Sequence, residues 1–238
     1  MLEETSCTAT ESLSARGSTT MNAMPVVLAT AATAIPLGAL AWWLPPLQQD
    51  RGIPLTRRAA GWIAAGAALI ALLIALTGLT APIAVAAGLL VNLAGVTVLT
   101  DLRAFKIPAD TCWWTAGLGA GTFAWWIFST PGPIAWAPII PAVILSAMLI
   151  SVAFATWWFG FTGMGDVRLL IALAATTAWW LNFETLLPAL LAMLAVTVAV
   201  TVFRRHSGSG LKAKVPAGPV YVTLYLVAAA LTLATAIA

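Results

Sequence analysis

The apolar runs of this chain are continuous, and that limits its fold more than any other feature. Residues 59–100 and 111–165 carry no charged side chain. A helix needs roughly 20 apolar residues to cross the hydrocarbon of a bilayer. Lipid offers backbone polar groups no partner, so only helices and closed barrels can span it. Barrel strands alternate apolar and polar residues, and these runs do not alternate. The sequence therefore predicts an all-α fold, a polytopic membrane helix bundle of about eight transmembrane helices. Composition agrees. The chain is 61% hydrophobic and 8% charged, whereas a soluble domain carries about 25% charged residues.

The expected spans are 25–45, 59–79, 81–100, 111–129, 134–158, 167–183, 185–203 and 216–237. They make one domain, 24–238. Residues 1–23 are rich in Ser and Thr and carry Glu3, Glu4, Glu11 and Arg16. A secretory signal would open with a basic segment, so this stretch reads as a disordered extracytoplasmic tail. Gly78 to Pro82 forms a tight turn suited to an antiparallel pair of the second and third spans. Thr130-Pro131-Gly132-Pro133 reads the same way between the fourth and fifth.

Charge fixes the orientation. Arg51, Arg57, Arg58, Arg103, Lys106, Arg168, Arg204, Arg205, Lys212 and Lys214 are ten of the eleven Lys and Arg, and all fall on alternate loops. The positive-inside rule places those loops in the cytoplasm and both termini outside. Tryptophan agrees, because indole favours the membrane interface. Trp42, Trp43, Trp62, Trp113, Trp114, Trp157 and Trp158 group near inner ends of spans, and Trp125, Trp126, Trp136, Trp179 and Trp180 near outer ends. The net charge of +3 is thus a loop bias that also attracts anionic membrane lipids, with no nucleic-acid footprint. Cys7 and Cys112 form no CxxC pair, and the topology puts them on opposite faces. With a single histidine, His206, no metal site and no cofactor is expected. Cys112 reads as a small buried residue.

Two aspartates stand out against this background. Asp101 closes the third span and Asp166 opens the sixth, both at the predicted cytoplasmic edge. Asp50 and Asp110 are the other acids near inner ends. An ionisable residue at a membrane span is costly and marks function by default. The stretch Gly163-Met164-Gly165-Asp166 places Asp166 in the first turn of a helix, where the dipole favours an anion. Glycine also tolerates unusual backbone angles and close approach. If their helices pack together, the two carboxylates cannot both ionise readily, so one is an acid and the other a base. That pair can hydrolyse a peptide without a metal. The anion takes a proton from a water that attacks the carbonyl, and the acid donates to the carbonyl oxygen. The plain readings are an ion pair of Asp101 with Arg103 and a helix cap at Asp166.

These residues resemble the type IV prepilin peptidases, which include preflagellin peptidases. Gly163-Met164-Gly165-Asp166-Val167-Arg168-Leu169 is similar to the family's GxGD box. Asp101-Leu102-Arg103 with Ile107-Pro108 resembles its first-aspartate box, and Lys214-Val215-Pro216-Ala217-Gly218-Pro219 its late Pro-x-Gly-Pro segment. The boxes fall in the family's order over about residues 90–237. The resemblance implies a membrane aspartic endopeptidase of the inner membrane that removes the leader from prepilin-like proteins at the cytoplasmic face. It makes Asp101 and Asp166 the catalytic pair. Gly163, Met164, Gly165, Pro108, Pro216, Gly218 and Pro219 would shape the site. Ala109 and Ala217 depart from residues common in the family's boxes. The Cys-rich cytoplasmic loop of many members is missing, so no N-methyltransferase activity is expected.

The rival expectation is a non-proteolytic membrane protein, either a small transporter or an inactive scaffold of a pilus or secretion system. Transporters commonly show internal repeats and midplane sites. This chain shows no clear repeat, and its acids lie at the rim. Pro188-Ala189-Leu190 reproduces a tripeptide of other GxGD proteases, but out of order.

Overall fold

The computed structural model describes residues 23–192, except 54, 131, 132, 135, 138 and 160–162, together with 195 and 218–237. The tail 1–22, Pro216, and the basic residues Arg204, Arg205, Lys212 and Lys214 lie outside the described residues. All described regular structure is helical, and the protein is a helical membrane bundle. The helices are α1 (Ala23–Asp50), α2 (Arg57–Leu76), α3 (Ala81–Ala104), α4 (Ala109–Ser129), α5 (Ile139–Trp158), α6 (Met164–Thr177), α7 (Phe183–Ala192) and α8 (Gly218–Ile237). Five of them, α1, α2, α3, α5 and α8, are long and apolar enough to cross a membrane. α4 is 21 residues long, but its Gly and Thr dilute its apolarity; the described parts of α6 and α7 are shorter.

α3 is the central helix. Of its most apolar window 72% is buried inside the protein, against 17–33% for the other four long spans. It packs on α1, α2, α4, α6 and α8. Small residues allow this. α2 buries only alanines, Ala60, Ala64, Ala67, Ala71 and Ala75, along one stripe. Gly88 and Gly95 of α3 each sit where an added Cβ would meet Thr33 or Ile63 at 2.8 and 2.7 Å. In lipid, association relies on such close backbone approach rather than on expelling water.

Local sequence sets the ends. Thr56 caps α2 by accepting the Ala59 N–H at 3.2 Å. Gly78, at φ 86°, makes the turn into α3, a left-handed position that suits glycine. α3 ends at Phe105, a non-glycine residue in the left-handed region at φ 51°, whose N–H returns to the Asp101 carbonyl at 2.9 Å. That cap ends α3 four residues beyond the predicted span, so Asp101 lies within the last turn of the helix.

Two expectations are corrected. The fourth and fifth spans do not form a packed pair; α4 and α5 each pack on α6. α4 ends at Ser129 and α5 starts only at Ile139, so nine residues separate them. That connection is too long for a tight turn. α4 prefers α6 because Gly119 lies against Thr176, where a Cβ would come within 2.7 Å of Oγ1. Second, Trp179 and Trp180 are buried at 5% and 9% exposure and do not join an outer belt. Trp179 sits against Trp126 and Phe123, at 5.6 and 5.8 Å between ring centroids. Trp180 Nε1 donates to the Thr176 carbonyl at 2.8 Å. Trp42, Trp43, Trp62, Trp113, Trp114 and Trp158 are exposed.

Candidate active site

Asp101 and Asp166 come from helices 60 residues apart in sequence and stand within electrostatic reach of each other at one end of the bundle. Asp101 is 5% exposed. Its Oδ2 accepts the N–H of Gly218, the first residue of α8, at 2.9 Å. An N–H bond to a carboxylate is among the stronger hydrogen bonds of proteins. The expected alternative, an ion pair with Arg103, does not form; Arg103 is exposed, and the one ion pair among the described residues joins Arg51 to Asp110.

Asp166 is the third residue of α6. Its Oδ2 accepts the Gly163 N–H at 3.2 Å, and its own N–H returns to the Gly163 carbonyl at 3.1 Å. Gly163, and not Asp166, is therefore the N-cap, and Asp166 returns to it from the third helical position as the acidic half of a capping box. Asp166 also lies within electrostatic reach of Asp101. The expectation that the helix N-terminus singles out Asp166 as the anion does not separate the two acids, because Asp101 has the first N–H of α8.

The glycines explain how the elements close in. A Cβ on Gly218 would lie 2.7 Å from Thr97 Cγ2, 2.9 Å from Asp101 Oδ2 and 3.2 Å from Ile107 Cδ1. A Cβ on Gly165 would lie 3.3 Å from Ile107 Cβ. Ile107 is thus the side chain that both Gly165 of α6 and Gly218 of α8 approach. Close approach is the reason for glycine at 165 and 218. Unusual backbone angles are not: Gly163 has φ −83°, and its Cβ would meet Asp166 Oδ2 at 3.7 Å and Gly165 N at 3.9 Å, both ordinary contacts.

No protein-family model, curated protein or solved structure matches this chain. The site rests on its own geometry.

The remaining expected residues lie around it. Pro108 is buried and is the N-cap of α4. Met164 is half-buried, opens α6 and packs on the main core. Pro219 is half-buried in the first turn of α8. Pro216 lies outside the described residues. Among those described, no three His, Cys, Asp or Glu side chains group so as to hold a metal ion. Arg168, two residues beyond Asp166, stands within reach of buried Cys112 on α4, and its Nε is buried without a partner.

Two residues were missed by reading the sequence. Tyr221 on α8 is half-buried and within electrostatic reach of Asp166. Thr97 on α3 is fully buried, and its Oγ1 has no hydrogen-bond partner. Helical spacing was the available signal. Tyr221 stands three residues from Gly218 and Thr97 four from Asp101, so each pair shares a helix face.

The same end of the bundle is tied together by the α1–α2 connection. Arg51 pairs with Asp110 in the first turn of α4, and Gln48 Nε2 also donates to Asp110 at 3.0 Å. Lys106 Nζ donates to the Arg51 carbonyl at 3.1 Å.

Proposed function

We propose that this protein is a membrane-embedded aspartic endopeptidase that removes the leader from prepilin-like proteins at the cytoplasmic face of the inner membrane. One observation carries the reading. Asp101 and Asp166, on different helices, stand within electrostatic reach of one another at a single end of the bundle. The resemblance of the Asp101 and Gly163–Leu169 boxes to prepilin peptidases supplies the substrate class.

The chemistry follows from the pair. Two carboxylates near each other share a proton, giving one acid and one base. The base takes a proton from a water held between them. The water oxygen attacks the scissile carbonyl carbon while the acid protonates the carbonyl oxygen. The tetrahedral intermediate then collapses, the C–N bond breaks and the amine leaves with a proton from the dyad. The Gly218 N–H holds Asp101 in one orientation at 2.9 Å, and the Gly163 N–H does the same for Asp166 at 3.2 Å. Fixed orientation lowers the entropic part of the barrier.

The test is co-expression with a prepilin-like protein of the same genome, reading leader removal by gel shift and mass spectrometry. Wild type is expected to cleave, and Asp101→Asn and Asp166→Asn to lose cleavage at unchanged protein levels. Asparagine still accepts the Gly218 or Gly163 N–H, so loss of activity reports chemistry rather than folding. Cleavage that survives either substitution overturns the dyad. Failure of wild type on every such protein of that genome returns the assignment to a transporter or scaffold.

A further inference from the structure

We infer that the groove between α1 and α2 is a binding site for one anionic phospholipid. This site is separate from the aspartates and does not depend on the proposed peptidase activity.

The groove holds about 450 Å³. Its walls are small residues of the two helices, including Gly38, Gly61 and Ala65, and Trp42, Arg57 and Arg58 stand among its lining. No acidic residue lines it. Arg57 lies over the Trp42 ring at 4.6 Å to the centroid, which holds the guanidinium at the mouth. Arg58 is exposed, and neither arginine forms an ion pair among the described residues. Arg51, nearby in sequence, is satisfied by Asp110. The unmatched positive charge of the α1–α2 region is thus at the groove.

The position and length fit a lipid. Both helices are long and apolar enough to cross a membrane, and only 17% and 28% of their apolar windows are buried in the protein. From Arg58 to Ala68, the last wall residue, α2 rises about 15 Å, half of a hydrocarbon core of roughly 30 Å. The groove therefore spans one leaflet. An acyl chain lies along the glycines and alanines, and the phosphate sits at the two arginines. Added Cβ atoms on Gly38 or Gly61 would meet nothing within 4 Å. Packing within the described bundle does not require glycine there, in contrast to Gly88 and Gly95. The open space is available to an occupant from the bilayer.

The experiment is native mass spectrometry of the full chain in neutral detergent, titrated with phosphatidylglycerol and, separately, with phosphatidylcholine of the same acyl chains. Wild type is expected to bind one phosphatidylglycerol about thirtyfold more tightly than phosphatidylcholine, the preference two interfacial arginines supply. The double substitution Arg57→Gln, Arg58→Gln is expected to bring the two lipids to equal affinity. Gly61→Leu, at a position where an added Cβ meets nothing within 4 Å, is expected to fill the groove and weaken both lipids. Equal binding of the two lipids by wild type overturns the proposal, and this arm needs no variant. Unchanged binding by Gly61→Leu overturns it too. So does a wild-type dimer that Gly61→Leu dissociates, which would make the groove a helix–helix seam.

Discussion

Replacing Gly218 by alanine adds one methyl group at the point where α8, α3 and the Ile107 loop converge. The new carbon would stand 2.7 Å from Thr97 Cγ2 and 2.9 Å from Asp101 Oδ2. Carbon atoms pack best at about 3.5–4.0 Å, and fully buried Thr97 cannot swing away. The first turn of α8 must therefore retreat. Overpacking of this kind costs about 1–3 kcal/mol. Retreat also stretches the 2.9 Å bond from the Gly218 N–H to Asp101, and a hydrogen bond to a charged group contributes about 1.5–3 kcal/mol. The better helix propensity of alanine returns less than about 1 kcal/mol. The net expectation is a loss of about 2–4 kcal/mol, with at least a tenfold fall in leader cleavage because Asp101 loses its orienting donor. Gly163→Ala is the control. Its Cβ meets nothing closer than Asp166 Oδ2 at 3.7 Å and its φ of −83° suits any residue, so the cost stays near or below about 1 kcal/mol. Both variants are to be purified in detergent, melted by size-exclusion fluorescence and assayed for cleavage. Wild-type melting and cleavage by Gly218→Ala would refute the packing argument, as would a larger loss in Gly163→Ala.

Tyr221→Phe removes the hydroxyl on the α8 face near Asp166 and keeps the ring; kcat is expected to fall about tenfold or more with KM and melting temperature unchanged, as for loss of one donor at a reacting centre. Trp179→Ala empties the aromatic cluster with Phe123 and Trp126 and is expected to cost about 3–5 kcal/mol, whereas Trp62→Ala, at a site 79% exposed, is expected to leave the melting temperature in detergent near wild type. For Arg51 and Asp110, a double-mutant cycle on thermal stability is expected to give a coupling of about 0.2–1 kcal/mol that fades with salt, since Arg51 is 57% exposed.

Much of the fold was legible because it depends on local properties. Each predicted span overlaps a described helix, as apolarity over twenty residues leaves a membrane chain no other structure. Asp166 falls in the first turn of α6, as Gly163 to Asp166 predicts. The errors arose where neighbours decide. Trp179 and Trp180 have the composition of an interfacial belt, yet both are buried, Trp179 against Phe123 and Trp126 of α4. Thr130 to Pro133 has the residues of a tight turn, yet the match of Gly119 to Thr176 sends α4 to α6 instead of α5.

The site divides in the same way. Sequence alone determined that this is a helical membrane protein and that Asp101 and Asp166 lie at ends of helices, since both follow from the distribution of apolar and charged residues along the chain. Tertiary structure alone decided that Asp101 turns to Gly218 and forms no pair with Arg103, that Gly165 and Gly218 both close on Ile107, and that Tyr221 comes within electrostatic reach of Asp166. Those relations join residues up to 117 positions apart. They depend on which small residues let which helices touch, and no stretch of sequence carries that information by itself.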